Sequence, residues 1–294
     1  MLQRVLLWVL VFLISACSSS SKKEKLRTAI QQKLGEVQGT FAVAFYDLHS
    51  GDSLLINATE SFHAASTMKT PVMMEVYKQV AAGKWKLEDS VTIKNEFSSI
   101  VDGSAYSLTP DDDSEQELYT LIGKQKTLYE LVYDMIIVSS NLATNIVIEL
   151  ADARQVTQTM RDLGAPYIQV LRGVEDTKAY RQGLINTTTA LDQLMIYKGL
   201  AEGSFVSKEA SDTMIRILLD QHFNEIIPAQ LPSDVNVAHK TGWITGVHHD
   251  CGIVLLPDGR KYVLALLSKE LNDENAGVAA MADVSKMIYD YVSR

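Results

Sequence analysis

The sequence is short of cysteine, proline and positive charge, and these shortages exclude several classes of protein. Its 294 residues include 2 cysteines and 6 prolines, and 36 Asp and Glu outnumber 27 Lys and Arg. The formal net charge of -9, with no clustered basic stripe, argues against nucleic acid as a partner. Few prolines and 47% hydrophobic residues favour a compact globular domain that depends on its core, because two cysteines cannot build a disulfide scaffold.

The N-terminus carries the one clear targeting signal. Residues 5–14 form an unbroken apolar run, which is too short for a membrane-spanning helix of about 20 residues. The small residues that follow it lead into Cys17, a pattern typical of a lipoprotein signal that is cleaved before an acylated cysteine. We therefore expect a signal peptide over residues 1–16 and a lipid on Cys17, with an uncleaved N-terminal anchor as the alternative.

The rest of the chain is expected to form one domain. A serine-rich and charged tether covers residues 17–25, and residues 26–294 contain no further apolar stretch long enough to span a membrane. Cys251 lies in an apolar run, as a small core residue does. With Cys17 lipidated, no internal disulfide is expected, and we expect a monomer.

Strand-like segments stand near both ends of this domain, with helical patterns between them. The strand-like segments are residues 41–46, 53–56, 235–240, 251–256 and 262–267. Helical spacing prevails from residue 70 to about residue 219, and an amphipathic helix closes the chain. This order predicts an α+β fold, in which an antiparallel five-stranded sheet is formed from both chain ends and a helical lobe, about residues 66–230, is inserted.

The first chemical motif is a serine followed one helical turn later by a lysine. Ser66 and Lys69 stand just before a helix, and Pro71 fits its first turn. Positions i and i+3 share a helix face, with Cβ atoms about 5–6 Å apart, so the lysine amine is within reach of the serine hydroxyl. The free N–H groups at a helix N-terminus favour a developing oxyanion.

Two further motifs complete the pattern. Ser139-Ser140-Asn141 occupies a short turn between two helices, and Lys240-Thr241-Gly242 ends a predicted strand. Asn145 and the segment 186–189 add to it. The three motifs, in this order and on these elements, resemble the signature of the class A β-lactamases and penicillin-binding proteins. The resemblance implies a serine acyl-enzyme hydrolase of β-lactams, exported to the periplasmic face of a bacterial membrane and needing neither metal nor cofactor.

The resemblance also implies a role for each motif residue. Ser66 attacks the carbonyl, a neutral Lys69 takes its proton, and Ser139 passes a proton to the leaving nitrogen. Burial and a neighbouring cation are needed to lower the lysine pKa from about 10.4. The implied substrate-binding residues are Asn141 for the acyl amide, Lys240 and Thr241 for the carboxylate, Gly242 beside them, and the N–H of Trp243, which with that of Ser66 forms the oxyanion hole.

The chain departs from the family in three places. Ser140 replaces the family's commonest residue there, aspartate, and we expect a structural rather than a catalytic consequence. Tyr106, Ser107 and the acidic residues 111–117 form a long insertion, either a lid over the pocket or a mobile solvated loop.

The third departure concerns deacylation. The family carries Arg-x-Glu-Pro-x-x-Asn in its omega loop, whereas here Glu175 follows Arg172 by three residues and no proline comes after it. We favour Glu175 as the base that activates the hydrolytic water, because a one-residue shift in a loop can be absorbed. Asp176 is the second candidate, and a purely structural acid is the third.

Two other functions use the same residues. A penicillin-binding DD-peptidase acts on peptidoglycan stem peptides, and the irregular omega loop leaves room for it. A receptor that is acylated without turnover is the other.

The histidines suggest rival chemistry. One possibility is a metal site built from His248, His249 and Asp250. Another is a Ser-His-Asp triad that these residues form with Ser66. Neighbouring residues on a strand point to opposite faces, and no His-Glu-x-x-His or Gly-x-Ser-x-Gly motif is present. We expect His249 and Asp250 to line the pocket rim or brace a strand, and His63 to be a packed loop residue.

Overall fold

The structure is a computed structural model that describes residues 22–293. The predicted signal peptide and Cys17 lie outside these residues, as does the first part of the tether. Within residues 22–293, no helix combines the length and the apolar character needed to cross a membrane.

One antiparallel sheet forms the framework of the domain. Its strands are β1 (Thr40–Asp47), β2 (Ser53–Ile56), β9 (Asn236–Ile244), β10 (Val247–Leu255) and β11 (Lys261–Lys269). They are arranged in the order β2-β1-β11-β10-β9, and every neighbouring pair is antiparallel. The predicted α+β fold, with a five-stranded sheet drawn from both chain ends, is confirmed.

Helices cover both faces of this sheet. They are α1 (residues 22–35), α2 (Lys69–Ala81), α3 (Leu128–Ile137), α4 (Asn141–Ala151), α5 (Ala153–Asp162), α6 (Thr177–Arg181), α7 (Ala190–Ala201), α8 (Lys208–Leu219) and α9 (Glu274–Val292). Short ladders pair β3 (Phe62–His63) with β8 (Thr187–Thr188), β4 (Ser90–Thr92) with β7 (Gln125–Thr127), and β5 (Phe97–Ser98) with β6 (Ala105–Tyr106).

The alternation of side chains along β1 separates two hydrophobic cores. Phe41 and Phe45 pack with residues of α1 and α9 on one face. Ala42 and Ala44 join the larger core of the helical lobe on the other face. Successive strand residues point to opposite faces, and the small alanine side chains let α7 lie close to the sheet.

The segment between α2 and α3 differs from the sequence-based expectation of helical structure. It folds into the short strands β4 to β7 and two 3-10 helices, Pro110–Asp112 and Glu117–Leu121. Gly103 and Gly123 adopt positive φ values of 73° and 86°, which end any regular run. Polar turn residues therefore outweigh the weak helical periodicity there.

The strand that carries the Lys240 motif is longer than the apolar pattern predicts. We expected it to end at Lys240, but β9 continues to Ile244 and turns through Gly246, which has φ 74°. The polar and small residues of the motif lack the apolar alternation of a strand. Backbone pairing with β10 nevertheless holds them in β9. The motif thus lies within a strand at the edge of the sheet.

Candidate active site

Ser66 lies at the junction between the helical lobe and the edge strand β9. It belongs to a 3-10 helix, Ala65–Met68, that leads directly into α2, and Ala65 before it has a positive φ of 44°. A non-glycine residue in this region is strained, and such strain is common at functional sites. The half-buried serine is therefore held at a helix mouth, as its sequence context predicts.

Gly242 brings β9 against the backbone of Ser66. A Cβ atom added at Gly242 would lie 2.8 Å from the nitrogen of Ser66 and 2.9 Å from that of Thr67, closer than real Cβ atoms approach. The carbonyl of Thr241 accepts a hydrogen bond from Lys240 at 3.0 Å, on the free edge of the strand. Since peptide groups alternate along a strand, the N–H of Trp243 points to this edge too.

The sequence resemblance implies acylation of Ser66, and alanine at position 242 is expected to slow that step by about 10²- to 10³-fold, the loss that follows removal of one oxyanion donor. The new methyl group would occupy the space in front of the Ser66 N–H. The rate of covalent adduct formation with a penicillin measures this. Gly35→Ala is the matched control, because nothing lies within 4 Å of a Cβ at that position. Equal rates in Gly242→Ala and Gly35→Ala would contradict the close approach.

Lys69 is fully buried and points toward the Ser139 turn. Its Nζ donates to the carbonyl oxygen of Ser139 at 2.7 Å, to the Ser139 Oγ at 3.1 Å and to Asn141 Oδ1 at 3.0 Å. Burial lowers the pKa of Lys69 to about 7, while the negative charges of Asp113 and Glu175 oppose the shift. A substantial neutral fraction is thus present near neutral pH, as a general base requires.

Lys240 approaches the same serine from the sheet. Its Nζ donates to Ser139 Oγ at 3.1 Å, so this hydroxyl lies between two lysine amines. Lys240 is also fully buried, and burial together with the charge of Lys69 lowers its pKa. Two buried ammonium groups that share one hydroxyl partner disfavour protonation of both at once.

Asn141 connects this pair to the omega loop. While its Oδ1 accepts from Lys69, its Nδ2 donates to Glu175 Oε1 at 2.9 Å. Glu175 has a positive φ of 62°, by which the loop turns its carboxylate into the site despite the shifted spacing. Burial raises the pKa of Glu175 to about 6, although the hydrogen bond from Asn141 opposes this.

Asp176, the second candidate for the base, is engaged elsewhere. It is buried and accepts hydrogen bonds from the Ser99 hydroxyl, the Ile100 N–H and the Ala179 N–H, each at 2.9–3.0 Å. Burial tends to raise its pKa, but these hydrogen bonds lower it below the usual value. Asp176 therefore caps α6 and holds the neighbouring segment, and its carboxylate has no part in the Lys69 network.

Two asparagines hold the loop that carries Glu175. Asn145 accepts from the Val174 N–H at 2.6 Å and donates to the Val174 carbonyl at 3.0 Å. Asn186 accepts from the Leu171 N–H at 2.8 Å and donates to the Arg172 carbonyl at 2.9 Å. These contacts supply the rigidity that the proline of the family pattern does not provide here.

The histidines make separate contacts and do not converge on Ser66. Nε2 of His249 bonds the His63 carbonyl at 2.8 Å, its Nδ1 accepts from the Ser268 N–H at 3.2 Å, and burial lowers its pKa to about 4. His248 pairs with Glu274, and Asp250 pairs with His239. They brace strands, and in the described part of the chain no three His, Cys, Asp or Glu side chains cluster as a metal site would need.

The part played by Asp113 was not visible in the sequence. The insertion 111–117 was expected to be a lid or a mobile loop, but Asp113 is 5% exposed and accepts hydrogen bonds from the Asn141 and Leu142 N–H groups. Tyr106 donates to the carbonyl of Val174 at 3.3 Å and so rests on the omega loop. The sequence signal that could have pointed to Asp113 is Ser140, which stands where the family commonly has an aspartate.

The site combines a serine at a helix mouth, two buried lysines that share a second serine, and a glutamate held through an asparagine. This arrangement has the groups that acyl transfer requires. The sequence matches the Beta-lactamase enzyme family over residues 24–292, and the chain belongs to this family. The class A resemblance is thereby confirmed.

Individual proteins and solved structures are similar to this chain over most of its length. A β-lactamase of Bacteroides uniformis is 26% identical over 292 residues, which cover 94% of each chain. The β-lactamase structure from Sphaerobacter thermophilus has a TM-score of 0.78 and 26% identity and covers 93% of this chain and 97% of its own. An acyl-enzyme complex of a PBP-A mutant with penicillin G has a TM-score of 0.78 and 28% identity, with 92% and 97% covered.

Proposed function

We propose that this chain hydrolyses the amide of β-lactams through an acyl-enzyme on Ser66. The observation that carries the proposal is the continuous network from Lys240 through Ser139, Lys69 and Asn141 to Glu175. Each contact is 2.9–3.1 Å long, so one hydrogen-bonded network joins a base, a proton relay and a carboxylate. The family description and the β-lactamase from Bacteroides uniformis support this substrate class.

Acylation begins when neutral Lys69 takes the proton of Ser66 and the serine oxygen attacks the lactam carbonyl. The negative charge that develops on the carbonyl oxygen is bound by the N–H groups of Ser66 and Trp243, preorganised donors that need no rearrangement. Ser139, hydrogen-bonded to both lysines, then gives its proton to the leaving nitrogen and regains one from Lys69. The products of this step are an ester on Ser66 and an opened ring.

The substrate itself helps to set the charges of the two lysines. A β-lactam carries a carboxylate, which we place near Lys240 and the Thr241 hydroxyl. An opposite charge nearby favours the ammonium form, so binding stabilises the cation at Lys240. That cation in turn favours neutral Lys69. Substrate binding thereby favours the protonated form of Lys240, beside the substrate carboxylate, and the neutral form of Lys69, which is the base.

Deacylation needs a water molecule that attacks the ester. Glu175, ionised above its pKa of about 6, is the group placed to take a proton from that water. Asn141 holds the carboxylate and also offers its amide to the acyl chain of the substrate. The tetrahedral species then expels the Ser66 oxygen, which takes up the proton that Glu175 accepted from water. The step releases the ring-opened product as its acid and restores both the Ser66 hydroxyl and the Glu175 carboxylate.

Intact-mass spectrometry of the full mature chain with penicillin G separates the three candidate activities. Hydrolysis predicts a transient adduct and accumulating product. A DD-peptidase, for which the irregular omega loop leaves room, predicts a persistent adduct together with release of D-alanine from a stem peptide. A receptor predicts a persistent adduct with neither product. Absence of both an adduct and a hydrolysis product would overturn the proposal of acyl transfer.

We further propose that the protein is exported, cleaved before Cys17 and lipid-anchored at the periplasmic face of a bacterial membrane, with a monomeric catalytic domain. The support is the apolar run, the residues before Cys17 and the charged tether after it. In this place the enzyme would meet β-lactams before they reach cell-wall enzymes, which is consistent with a role in antibiotic resistance.

Cys17→Ser is expected to abolish incorporation of labelled palmitate and to move the protein from the membrane fraction to the soluble fraction. The reason is that the thiol is the attachment point of the lipid. Cys251→Ala is the control and should keep both the label and the membrane association, because Cys251 is buried in the core. Membrane association of Cys17→Ser at the wild-type level would contradict the proposed anchor.

A further inference from the structure

Asp113 is a buried carboxylate that the reaction steps above do not use. It lies between the two 3-10 helices of the insertion and is 5% exposed. Its oxygens accept from the Asn141 N–H at 3.0 and 2.9 Å and from the Leu142 N–H at 2.8 Å. Tyr119 OH adds a contact at 3.0 Å and the Glu115 N–H one at 3.1 Å. Such a set of donors fixes the position of a carboxylate.

These contacts cap the helix that carries Asn141. The first N–H groups of a helix have no partner within it, and its N-terminus favours negative charge. The side chain of Ser140, the residue just before α4, accepts only from the Ala143 N–H, at 3.2 Å. Asp113 satisfies the first two N–H groups from 28 residues away in sequence. The carboxylate that the family commonly carries at position 140 is thus supplied here from a different loop.

The position of Asp113 couples it to both proton-transfer groups. The side chain of Asn141 bridges Lys69 and Glu175, so a shift of its backbone moves both contacts. The charge of Asp113 raises the pKa of Lys69, against the larger effect of burial, and also raises that of Glu175. The other charged groups facing these two are Lys240, through Ser139, and Asp112.

We propose that Asp113 is a positioning residue for the acyl-transfer site, which replaces the missing carboxylate at position 140 by fixing Asn141 and by placing a negative charge beside Lys69 and Glu175. This inference rests on the proposed function. It gives the acidic insertion a defined task, which is to complete the Ser139 turn.

The test measures acylation by penicillin G against pH in Asp113→Asn, Asp113→Ala and the double variant Asp113→Ala/Ser140→Asp. Loss of the cap in Asp113→Ala is expected to slow acylation by about 10²-fold, because misplacement of about 1 Å has effects of this size. Asp113→Asn keeps the shape and removes the charge. The acidic limb of its plot of acylation rate against pH is expected to move to lower pH, because a lower Lys69 pKa leaves the base neutral in more acidic solution.

The double variant gives the sharpest result, because it returns a carboxylate to the same helix mouth from the family's usual position. It is expected to recover most of the lost rate and to move the acidic limb back toward that of the wild type. Asp111→Asn, an exposed acid of the same segment, is the matched control and should keep the wild-type profile. Thermal unfolding of each variant shows that it is folded, and Asp113→Asn carries the test should Asp113→Ala fail to fold.

Two outcomes would overturn the inference. One is a wild-type acylation rate and a wild-type acidic limb of its pH dependence in both single variants. The other is a lower rate with an unmoved limb and no recovery on adding Ser140→Asp, which describes a merely structural residue. Either result, in a chain whose wild-type form is acylated and turns over, leaves the proposed function standing. A wild-type chain that forms neither an adduct nor a hydrolysis product defeats the proposed function itself.

Discussion

Glutamine at position 175 is expected to leave acylation by penicillin G within about tenfold of the wild-type rate and to slow hydrolysis of the acyl-enzyme by about 10²- to 10⁴-fold, the usual contribution of a general base. Glutamine keeps the shape of Glu175 and its contact with Asn141, but it takes no proton from water. The adduct should therefore accumulate, which pre-steady-state mass measurements of adduct formation and decay would show directly.

The variant Asp176→Asn distinguishes the two neighbouring acids. Asp176 caps α6 and binds residues 99 and 100, so its substitution should lower the unfolding temperature more than it lengthens the life of the adduct. A short-lived adduct in Glu175→Gln together with a long-lived one in Asp176→Asn would assign the base to Asp176 instead. In the wild type, deacylation should fall as the pH drops through about 6, because Glu175 is then protonated.

Arginine at position 69 is expected to slow acylation by about 10²- to 10⁴-fold, because a guanidinium stays protonated and accepts no proton from Ser66. Wild-type acylation should rise with pH through about 7, since burial lowers the Lys69 pKa to that value and only the neutral amine is a base. The rate of adduct formation between pH 5 and 9 tests both statements.

The same substitution at Lys240 provides the comparison. Arginine there keeps the positive charge that we assign to binding the substrate carboxylate, so the loss should be smaller than at Lys69 and should fall mainly on KM. Both lysines are fully buried, so the added volume burdens the two variants alike. Equal losses of kcat in Lys69→Arg and Lys240→Arg would contradict the division of roles between them.

The sheet was predictable because its signal is local and repeated. The alternation in β1 and the apolar runs of β10 and β11 mark strands at both ends of the chain, and the helical insert between them indicates that the sheet is assembled from both ends. The extension of β9 through Thr241 and Trp243 was not predictable in this way. Pairing with β10 holds that segment in the sheet, and pairing partners are not visible in the local pattern.

The site was predictable where a motif fixes spacing on one element. Ser66 and Lys69 stand three residues apart where the 3-10 helix passes into α2, so the sequence alone predicts that they share a helix face. The bridge from Asn141 to Glu175 depends instead on the positive φ of Glu175 in an irregular loop. The cap on Asn141 comes from Asp113, and no periodicity connects residues separated by this much chain. Such contacts are fixed by tertiary packing, which explains why the sequence left Glu175 and the insertion open.

The central claim is that Ser66 carries the acyl group. The most direct measurement treats the Glu175→Gln variant with penicillin G, digests the trapped adduct and locates the added mass by peptide sequencing. We predict an increase equal to one whole penicillin on Ser66, and none in the same peptide of Ser66→Ala. An adduct on another residue, or none on Ser66 while hydrolysis proceeds in the wild type, would contradict it.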